Sequence, residues 1–196
     1  MTKYVFGIEG LDRLGKSTLI EGIRNKLGYY EVIHFSKPQR LEAYKRASDH
    51  QLSFAGVPME SQQVYQYQRA GFLNSMLMAK SGARIIFDRW HIGEAVYAPM
   101  YRGYSGDYVF QQEADSGLAD TDNARLILLW EDFEVAKHFV DDGQSLGAIE
   151  NRQEEQERFK AAFAKSNIRD KRMICVTDQA LGGFKPKDWI LHEALA

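Results

Sequence analysis

The sequence contains little cysteine, little proline and almost no net charge. Cys175 is the single cysteine among 196 residues, so no disulfide can form within the chain. We expect its side chain to be a small, buried apolar group in a strand. Only four prolines are present, and neither a repeat nor a low-complexity linker divides the sequence. These absences predict a single domain over residues 1–196.

The charge balance and the lack of long apolar runs disfavour two classes of protein. The 25 lysine and arginine residues face 27 aspartate and glutamate residues, which gives a formal net charge of -2. A surface that binds a nucleic-acid polymer is usually basic, so such a partner is disfavoured. The longest apolar run covers only residues 126–130, far too short for a membrane span, and no signal peptide is recognisable. We therefore expect a cytoplasmic protein with no membrane partner.

Short apolar runs alternate with longer amphipathic segments along the chain. The runs are rich in Val, Ile, Leu and Phe and cover residues 4–8, 32–35, 83–87, 125–130 and 173–176. They are mostly apolar rather than alternating, which is typical of strands buried on both faces of a parallel sheet. Helical patterns follow the first strand up to a stop at Gly28, and recur at residues 61–80, 132–140, 153–165 and 186–194. This order predicts an α/β fold with a five-stranded parallel sheet and helices on both faces.

A glycine-rich segment follows the first predicted strand, at the end of the sheet where ligands bind in such folds. Residues 10–17 read Gly-Leu-Asp-Arg-Leu-Gly-Lys-Ser and fit the pattern G-x-x-x-x-G-K-[ST]. The glycines let backbone N–H groups surround a phosphate, and the following helix adds the positive end of its dipole. In this pattern Lys16 reaches the β- and γ-phosphates, and the Ser17 hydroxyl binds Mg²⁺. The sequence therefore predicts a nucleoside triphosphate site of the P-loop NTPase fold.

The loop carries more information than the minimal pattern. Residues 9–18 closely resemble the phosphate-binding loop of thymidylate kinases, which belong to the nucleoside monophosphate kinase group. The resemblance implies that ATP is the phosphoryl donor and that Asp12 binds the sugar 3′-hydroxyl of the acceptor. It also implies a donor site made of Gly10, Leu14, Gly15, Lys16, Ser17, Thr18 and Lys185.

An arginine inside the loop separates two types within this family. Members of one type carry it and have few basic residues in the mobile lid, and members of the other type reverse this arrangement. The lid is expected at residues 141–151, which contain no lysine or arginine, so Arg13 places the chain in the first type. Phosphoryl transfer spreads negative charge over the moving group, and a guanidinium must meet that charge. Arg152 lies just beyond the lid, and we expect it in the first turn of a solvated helix.

A second match follows the third predicted strand, where Asp88, Arg89 and Trp90 resemble the family's Asp-Arg-aromatic motif. Asp88, at a strand end, is placed to hold Mg²⁺ directly or through water. Arg89 can bind the phosphate of the acceptor bidentately. With Asp12, Arg13 and Lys16, these two residues complete the predicted catalytic set.

Further matches concern the acceptor. In residues 64–69, Tyr65 would stack on the base and Arg69 would donate to a pyrimidine carbonyl; the alternative is that Tyr65 only packs the helix into the core. Lys37 and Arg40 follow the second predicted strand and are candidate contacts of the acceptor phosphate.

Two tyrosines are candidates for the wall of the acceptor pocket. Tyr97 and Tyr101 lie where the family uses a tyrosine to exclude a ribose 2′-hydroxyl; the alternative is ordinary half-buried packing.

The segment 91–108 departs most from the family. Its tyrosines recur at helix-like spacing, but Pro99, Gly103 and Gly106 argue against one regular helix. Arg102 is a candidate for another phosphate contact. Glu94 could orient a hydroxyl or lie on a solvated helix face. The stretch resembles phage-type deoxynucleotide kinases more than cellular thymidylate kinases, so the expected compartment is the cytoplasm of a bacterium or of a phage-infected host.

The combined matches predict a transferase that uses ATP and Mg²⁺ to phosphorylate dTMP, or a related pyrimidine deoxynucleotide, to the diphosphate. The alternatives are a kinase of a free deoxynucleoside or of a modified pyrimidine in DNA, for which Glu9 or Asp88 could act as the base. A nucleotide-dependent switch is less favoured. The five histidines lack metal-ligand spacing, so no zinc site is expected. Since the family is often dimeric, a homodimer is a further expectation.

Overall fold

Five parallel strands form the central sheet of the computed structural model, which describes residues 3–35, 53–54, 57–136 and 151–196. In chain order these strands are β1 (Val5–Glu9), β2 (Glu31–His34), β5 (Ile85–Asp88), β6 (Ala124–Trp130) and β7 (Asp170–Cys175). Their order across the sheet is β2-β5-β1-β6-β7. Two short hairpins, β3 (Ser53–Phe54) with β4 (Val57–Pro58) and β8 (Thr177–Asp178) with β9 (Gly183–Phe184), lie outside this sheet. The five predicted strands are confirmed, with ends that differ by at most three residues.

The helices are α1 (Lys16–Leu27), α2 (Met59–Lys80), α3 (His91–Tyr97), α4 (Tyr108–Ser116), α5 (Phe133–Ala136), α6 (Arg152–Lys165) and α7 (Lys187–Leu195). A π-helix (Ala98–Arg102) continues α3, and a 3₁₀ helix (Leu118–Asp120) follows α4. Gly28 ends α1 with a φ of 88°, as the sequence predicts. The predicted helix at 132–140 corresponds to α5, and residues 137–140 lie outside the described part of the chain. None of the described helices is long and apolar enough to cross a membrane.

The core is built around the middle of the sheet, because β1 and β6 are buried along almost their whole length. Burial of such continuous apolar runs removes them from water on both faces and is the main favourable term in folding. Cys175 stands apart from this core: it ends β7, an edge strand, and is only half-buried. The prediction of a buried cysteine is therefore wrong, because an edge strand has a neighbour on one side only.

The segment that departs from the family is irregular, as its glycines and proline predict. Gly103 adopts a φ of 74° and ends the π-helix. A Cβ placed on Gly106 would lie 2.3 Å from the carbonyl oxygen of Glu94, so the chain packs there directly on the backbone of α3. Only glycine permits this close approach.

A buried pair joins α3 to α4 and to the turn after α6. His91 Nε2 lies 2.8 Å from Glu113 Oε2, and both side chains are fully buried. The Ser166 hydroxyl donates to the same oxygen at 2.7 Å, and the backbone N–H of Asn167 donates to the other. Although burial raises the pKa of Glu113, hydrogen bonds from His91 and Ser166 outweigh it and hold the pKa below its usual value.

Substitution Glu113→Gln should lower the free energy of unfolding by about 3 kcal/mol, because it breaks a buried pair. The depressed pKa of Glu113 contributes stability above the unfolded value of 4.5, and this contribution is lost as the pH falls through the folded value. The difference between wild type and variant should therefore shrink in acid. Urea unfolding at pH 7 and below pH 4.5 measures it, with exposed Asp115→Asn on the same helix as the control. A difference that grows in acid would contradict this account.

Candidate functional site

The predicted phosphate-binding loop connects β1 to α1 and turns at two glycines with positive φ. Gly10 has a φ of 127°, and a Cβ there would lie 2.3 Å from the carbonyl oxygen of Leu129. Gly15, with a φ of 83°, precedes the first residue of α1, and no described atom lies within 4 Å of a Cβ placed on it. The loop therefore needs glycine at one end for packing against β6 and offers open backbone at the other end, where a phosphate can approach.

Lys16 is buried beneath the loop. Its Nζ atom donates to the carbonyl oxygens of Gly10 at 2.9 Å and Leu11 at 2.6 Å. Burial and, to a smaller extent, the charge of Arg89 lower the pKa of Lys16 to about 8 against the opposing charge of Asp12. The amino group is thus held inside the loop that the sequence assigns to the donor phosphates.

Asp12 connects the residue predicted to bind the donor phosphates with the residue predicted to bind the acceptor phosphate. Its carboxylate accepts a hydrogen bond from the guanidinium of Arg89 and lies 4.0 Å from Lys16 Nζ. The structure therefore brings two of the predicted catalytic residues, Lys16 and Arg89, to the carboxylate of a third, although Arg89 follows Asp12 by 77 positions in the chain.

Two arginines of the site hold a backbone conformation that side chains rarely adopt. Arg13 has a φ of 69° and Arg89 a φ of 60°, and they are the only non-glycine residues with positive φ among those described. The left-handed conformation costs roughly 1–2 kcal/mol for a residue with a Cβ. Such strain persists where the surroundings enforce it, and it concentrates at functional sites.

Arg152 is not the solvated residue that the sequence predicts. Its side chain is 21% exposed, its Nε donates to Glu131 Oε1 at 2.5 Å, and its Nη2 donates to the backbone oxygen of Asp12 at 2.8 Å. Glu131, which directly follows β6, is itself buried and linked through its backbone to the side chain of Gln156. A second guanidinium therefore reaches the phosphate-binding loop. Of the predicted lid at 141–151, all but Asn151 lies outside the described residues.

The two predicted metal ligands lie on one groove. Ser17 and Asp88 both line an open cavity of about 830 Å³ next to α1. Asp88 Oδ2 lies 2.9 Å from Nδ1 of His34, and Asp88 Oδ1 is buried without a hydrogen-bond partner among the described residues. A hydroxyl and a carboxylate oxygen are hard ligands of the kind Mg²⁺ prefers. The residues present therefore fit a magnesium ion, and His34 is a neighbour of this site that the sequence analysis missed.

A second cavity of about 610 Å³ lies between α1, β9 and α7. The predicted donor residues Leu14, Gly15, Thr18 and Lys185 all line it, together with Arg13. The ammonium of Lys185 lies 4.2 Å from the centre of the Trp189 ring, which holds the lysine at the edge of the cavity. The cavity thus extends from the phosphate-binding loop to the hairpin of β8 and β9.

The predicted base contacts lie together on α2. Tyr65 is half-buried, and the guanidinium of Arg69 lies 6.0 Å from the centre of its ring. Tyr65 also meets the rings of Tyr104 and Tyr108 edge-on. The two predicted phosphate contacts Lys37 and Arg40 lie outside the described residues.

The predicted pocket tyrosines differ in their surroundings. Tyr97 is buried, and its hydroxyl is hydrogen-bonded to Glu155, whereas Tyr101 is 48% exposed. Burial and the charge of Glu155 both raise the pKa of Tyr97, so its hydroxyl stays protonated. The hydroxyl of Tyr97 is therefore fixed between α3 and α6. The ring centre of Tyr101 lies 6.0 Å from that of Tyr97.

Glu9 braces the segment that directly follows Arg89. Its fully buried carboxylate accepts the backbone N–H groups of Trp90 at 2.8 Å, Ile92 at 3.1 Å and Gly93 at 3.4 Å. Burial raises the pKa of Glu9, although these hydrogen bonds and the charge of His91 oppose the shift. A charged residue directly before the loop glycine is the signal that could have identified this brace.

Comparison with known proteins gives the family and supports the fold. The family model of thymidylate kinase matches residues 8–181. Among solved structures, the YorR protein from Bacillus subtilis, described in complex with phosphorylated GDP, is similar with a TM-score of 0.59 and 18% identity over 96% of this chain and 92% of that one. Thymidylate kinase from Candida albicans is similar with a TM-score of 0.54 and 17% identity over 98% and 89%. No curated protein sequence shows a significant match.

Proposed function

Because the chain belongs to the thymidylate kinase family, and is thus a nucleoside monophosphate kinase, we propose that it phosphorylates dTMP or a related pyrimidine deoxynucleotide. The donor is ATP, and the products are ADP and the deoxynucleoside diphosphate. One observation carries the proposal: the Asp12 carboxylate accepts a hydrogen bond from the Arg89 guanidinium and lies 4.0 Å from Lys16 Nζ. The arginine assigned to the acceptor and the lysine assigned to the donor thus flank the same group.

Catalysis in this site is a matter of position and charge. Lys16 and Arg13 lie on the loop that would hold the donor phosphates, and they would stabilise the charge that spreads over the moving phosphoryl group. Arg89 would hold the acceptor phosphate in line with it. A phosphate oxygen is already an anionic nucleophile, so no general base is required. When bound between Ser17 and Asp88, Mg²⁺ supplies further charge neutralisation on the donor phosphates.

The base and the sugar of the acceptor have separate contacts. Tyr65 would stack on the base, while Arg69 would donate to a pyrimidine carbonyl. Asp12 would bind the 3′-hydroxyl, and the buried hydroxyl of Tyr97, with Tyr101 beside it, would occupy the space of a ribose 2′-hydroxyl. The lid predicted at residues 141–151 would exclude water, since hydrolysis is the competing reaction.

A hydroxyl acceptor would need a base, and Glu9 is one candidate for it. Its Oε1 atom is occupied by three backbone N–H groups of the segment 90–93, whereas its Oε2 atom is buried with no hydrogen-bond partner among the described residues. A monophosphate acceptor is therefore favoured by the family match rather than by the surroundings of Glu9. The contacts of Oε1 make Glu9 a structural brace for the segment that directly follows Arg89. A nucleotide switch is disfavoured because it would have no use for an arginine paired with Asp12 on the acceptor side.

A panel of acceptors tests the proposal. With ATP and Mg²⁺, a coupled assay should give the highest kcat/KM for a pyrimidine deoxynucleoside monophosphate, at least about tenfold above purine monophosphates, because adenine has no carbonyl for Arg69 and guanine carries its carbonyl elsewhere on a larger ring system. Thymidine, deoxycytidine and DNA with modified pyrimidines complete the panel. Transfer to a nucleoside or to DNA, with none to any monophosphate, would overturn the proposal.

The expected homodimer stays a prediction. Apolar side chains of Leu73, Leu77 and Met78 are exposed along one side of α2 and would supply apolar surface for such a contact.

A further inference from the structure

Glu94 lies in α3 and gathers the polar groups of the irregular segment that follows. Its Oε1 atom accepts hydrogen bonds from the hydroxyls of Tyr104 at 2.8 Å and Tyr108 at 3.0 Å. Its Oε2 atom forms an ion pair with Arg102, and the Glu94 side chain is only 1% exposed. The interpretation of Glu94 as part of a solvated helix face is therefore wrong, and Arg102 is bound to this carboxylate.

The two tyrosines extend from Glu94 to the predicted base contacts. The ring centre of Tyr65 lies 5.3 Å from that of Tyr104 and 5.0 Å from that of Tyr108, and both contacts are edge-on. Arg69, one turn further along α2, lies over the same Tyr65 ring. A continuous path of contacts thus connects the buried carboxylate with Tyr65 and Arg69.

The hydrogen bonds from Tyr104 and Tyr108 to Glu94 restrict the orientation of both rings. Burial raises the pKa of Tyr104 and of Tyr108, and the charge of Glu94 raises both further, so the two hydroxyls stay protonated and donate at neutral pH. Hydrogen bonds to a charged acceptor are stronger than neutral ones, so rotation of either ring has a cost. The close contact of Gly106 with the backbone of α3 holds the intervening chain in place.

We propose that Glu94 is a positioning residue for selection of the acceptor base. Through Tyr104 and Tyr108 it fixes the ring of Tyr65, and with that ring the guanidinium of Arg69. Glu94 acts through these residues rather than on the substrate. The inference rests on the proposed function, because Tyr65 and Arg69 are the base contacts proposed there.

The hydrogen bonds of Glu94 with Tyr104 and Tyr108, and their contacts with Tyr65, form a network whose position predicts the kinetic constant that depends on it. Lys16 and Arg89 meet at Asp12, and within the described part of the chain none of these three residues is hydrogen-bonded to Glu94, Tyr104 or Tyr108. Loss of these hydrogen bonds should therefore weaken binding of the acceptor base without moving Lys16, Asp12 or Arg89. Acceptor KM and base discrimination should change, while kcat and the KM for ATP should not.

Glu94→Gln tests this directly, since it removes the charge and keeps the size. Acceptor KM should rise about tenfold, within the range of a lost base-stacking contact, while kcat and the KM for ATP stay within about twofold. The ratio of kcat/KM between the best and the second-best pyrimidine monophosphate should fall. The double substitution of Tyr104 and Tyr108 by Phe should give the same pattern, and it carries the test if Glu94→Gln fails to fold. Glu157→Gln, an exposed glutamate on α6, is the matched control.

A double-mutant cycle separates positioning from a merely structural role. In a Tyr65→Ala background, Glu94→Gln should raise acceptor KM no further, because the residue it positions is gone. Additive effects on KM, or a fall in kcat at unchanged KM, would overturn the inference. If the wild-type enzyme phosphorylates no pyrimidine monophosphate, the proposed function fails; if it does and the cycle is additive, only the role of Glu94 fails.

Discussion

Substitution Arg13→Gly should lower kcat about 1000-fold, because a guanidinium that meets the charge of the moving phosphoryl group contributes on that scale. The same substitution should not destabilise the protein. Arg13 has a φ of 69°, so glycine relieves backbone strain while it removes the side chain. Steady-state kinetics and thermal unfolding of the same preparation measure both effects. A residue that is held in a strained conformation for its function is expected to show this pattern, in which substitution lowers kcat but does not lower stability.

Two further variants show which arginine stabilises the charge on the moving phosphoryl group. Arg169→Ala, at an exposed arginine between α6 and β7, should leave kcat unchanged. Arg152→Ala tests the second guanidinium at the loop, which donates to the backbone oxygen of Asp12. If Arg13→Gly keeps kcat within about threefold of wild type while Arg152→Ala lowers it about 1000-fold, the transition-state role belongs to Arg152 and the assignment of Arg13 is wrong.

Arg89→Gly should lower kcat/KM for the acceptor about 1000-fold, since a charge-assisted bidentate contact to phosphate is lost together with in-line alignment. The KM for ATP should change less than about threefold, because Lys16 remains in the donor loop. Measurement of initial rates over a matrix of ATP and acceptor concentrations separates the two constants. The φ of 60° at Arg89 means that glycine relieves backbone strain, which offsets part of the stability that is lost with the ion pair to Asp12.

Arg89→Lys is the matched variant for this prediction. Lysine keeps the positive charge beside Asp12 but lacks the planar fork, so it should recover only part of the lost kcat/KM. Equal losses in the constants for ATP and for the acceptor would mean that Arg89 serves the donor, which would contradict its assignment to the acceptor phosphate.

The elements that could be predicted from the sequence are those with a local pattern. The five strands are short apolar runs, and the loop at residues 10–17 combines fixed spacing with glycines that the backbone requires. Pro99, Gly103 and Gly106 likewise predict the irregular segment, because each restricts or frees the backbone at its own position. The tyrosines at helix-like spacing could not decide between helix and loop by themselves.

The residues that sequence reasoning misjudged depend on contacts between distant positions. Arg152 reads as a solvated residue in a charged helix, yet it donates to Asp12, 140 positions away in the chain. Glu94 is equally indistinguishable from a surface glutamate until Tyr104 and Tyr108 fold back onto it. Charged residues are seldom buried without a partner, and the partner is supplied by the tertiary fold rather than by neighbours in sequence.

The transfer of label from [γ-³²P]ATP tests the central claim most directly. With Mg²⁺ and dTMP, the account predicts that the label appears in the β-phosphate of dTDP and that this transfer is lost in Arg89→Gly. Release of the label as inorganic phosphate, with none in the diphosphate of any pyrimidine deoxynucleotide in the panel, would contradict the account.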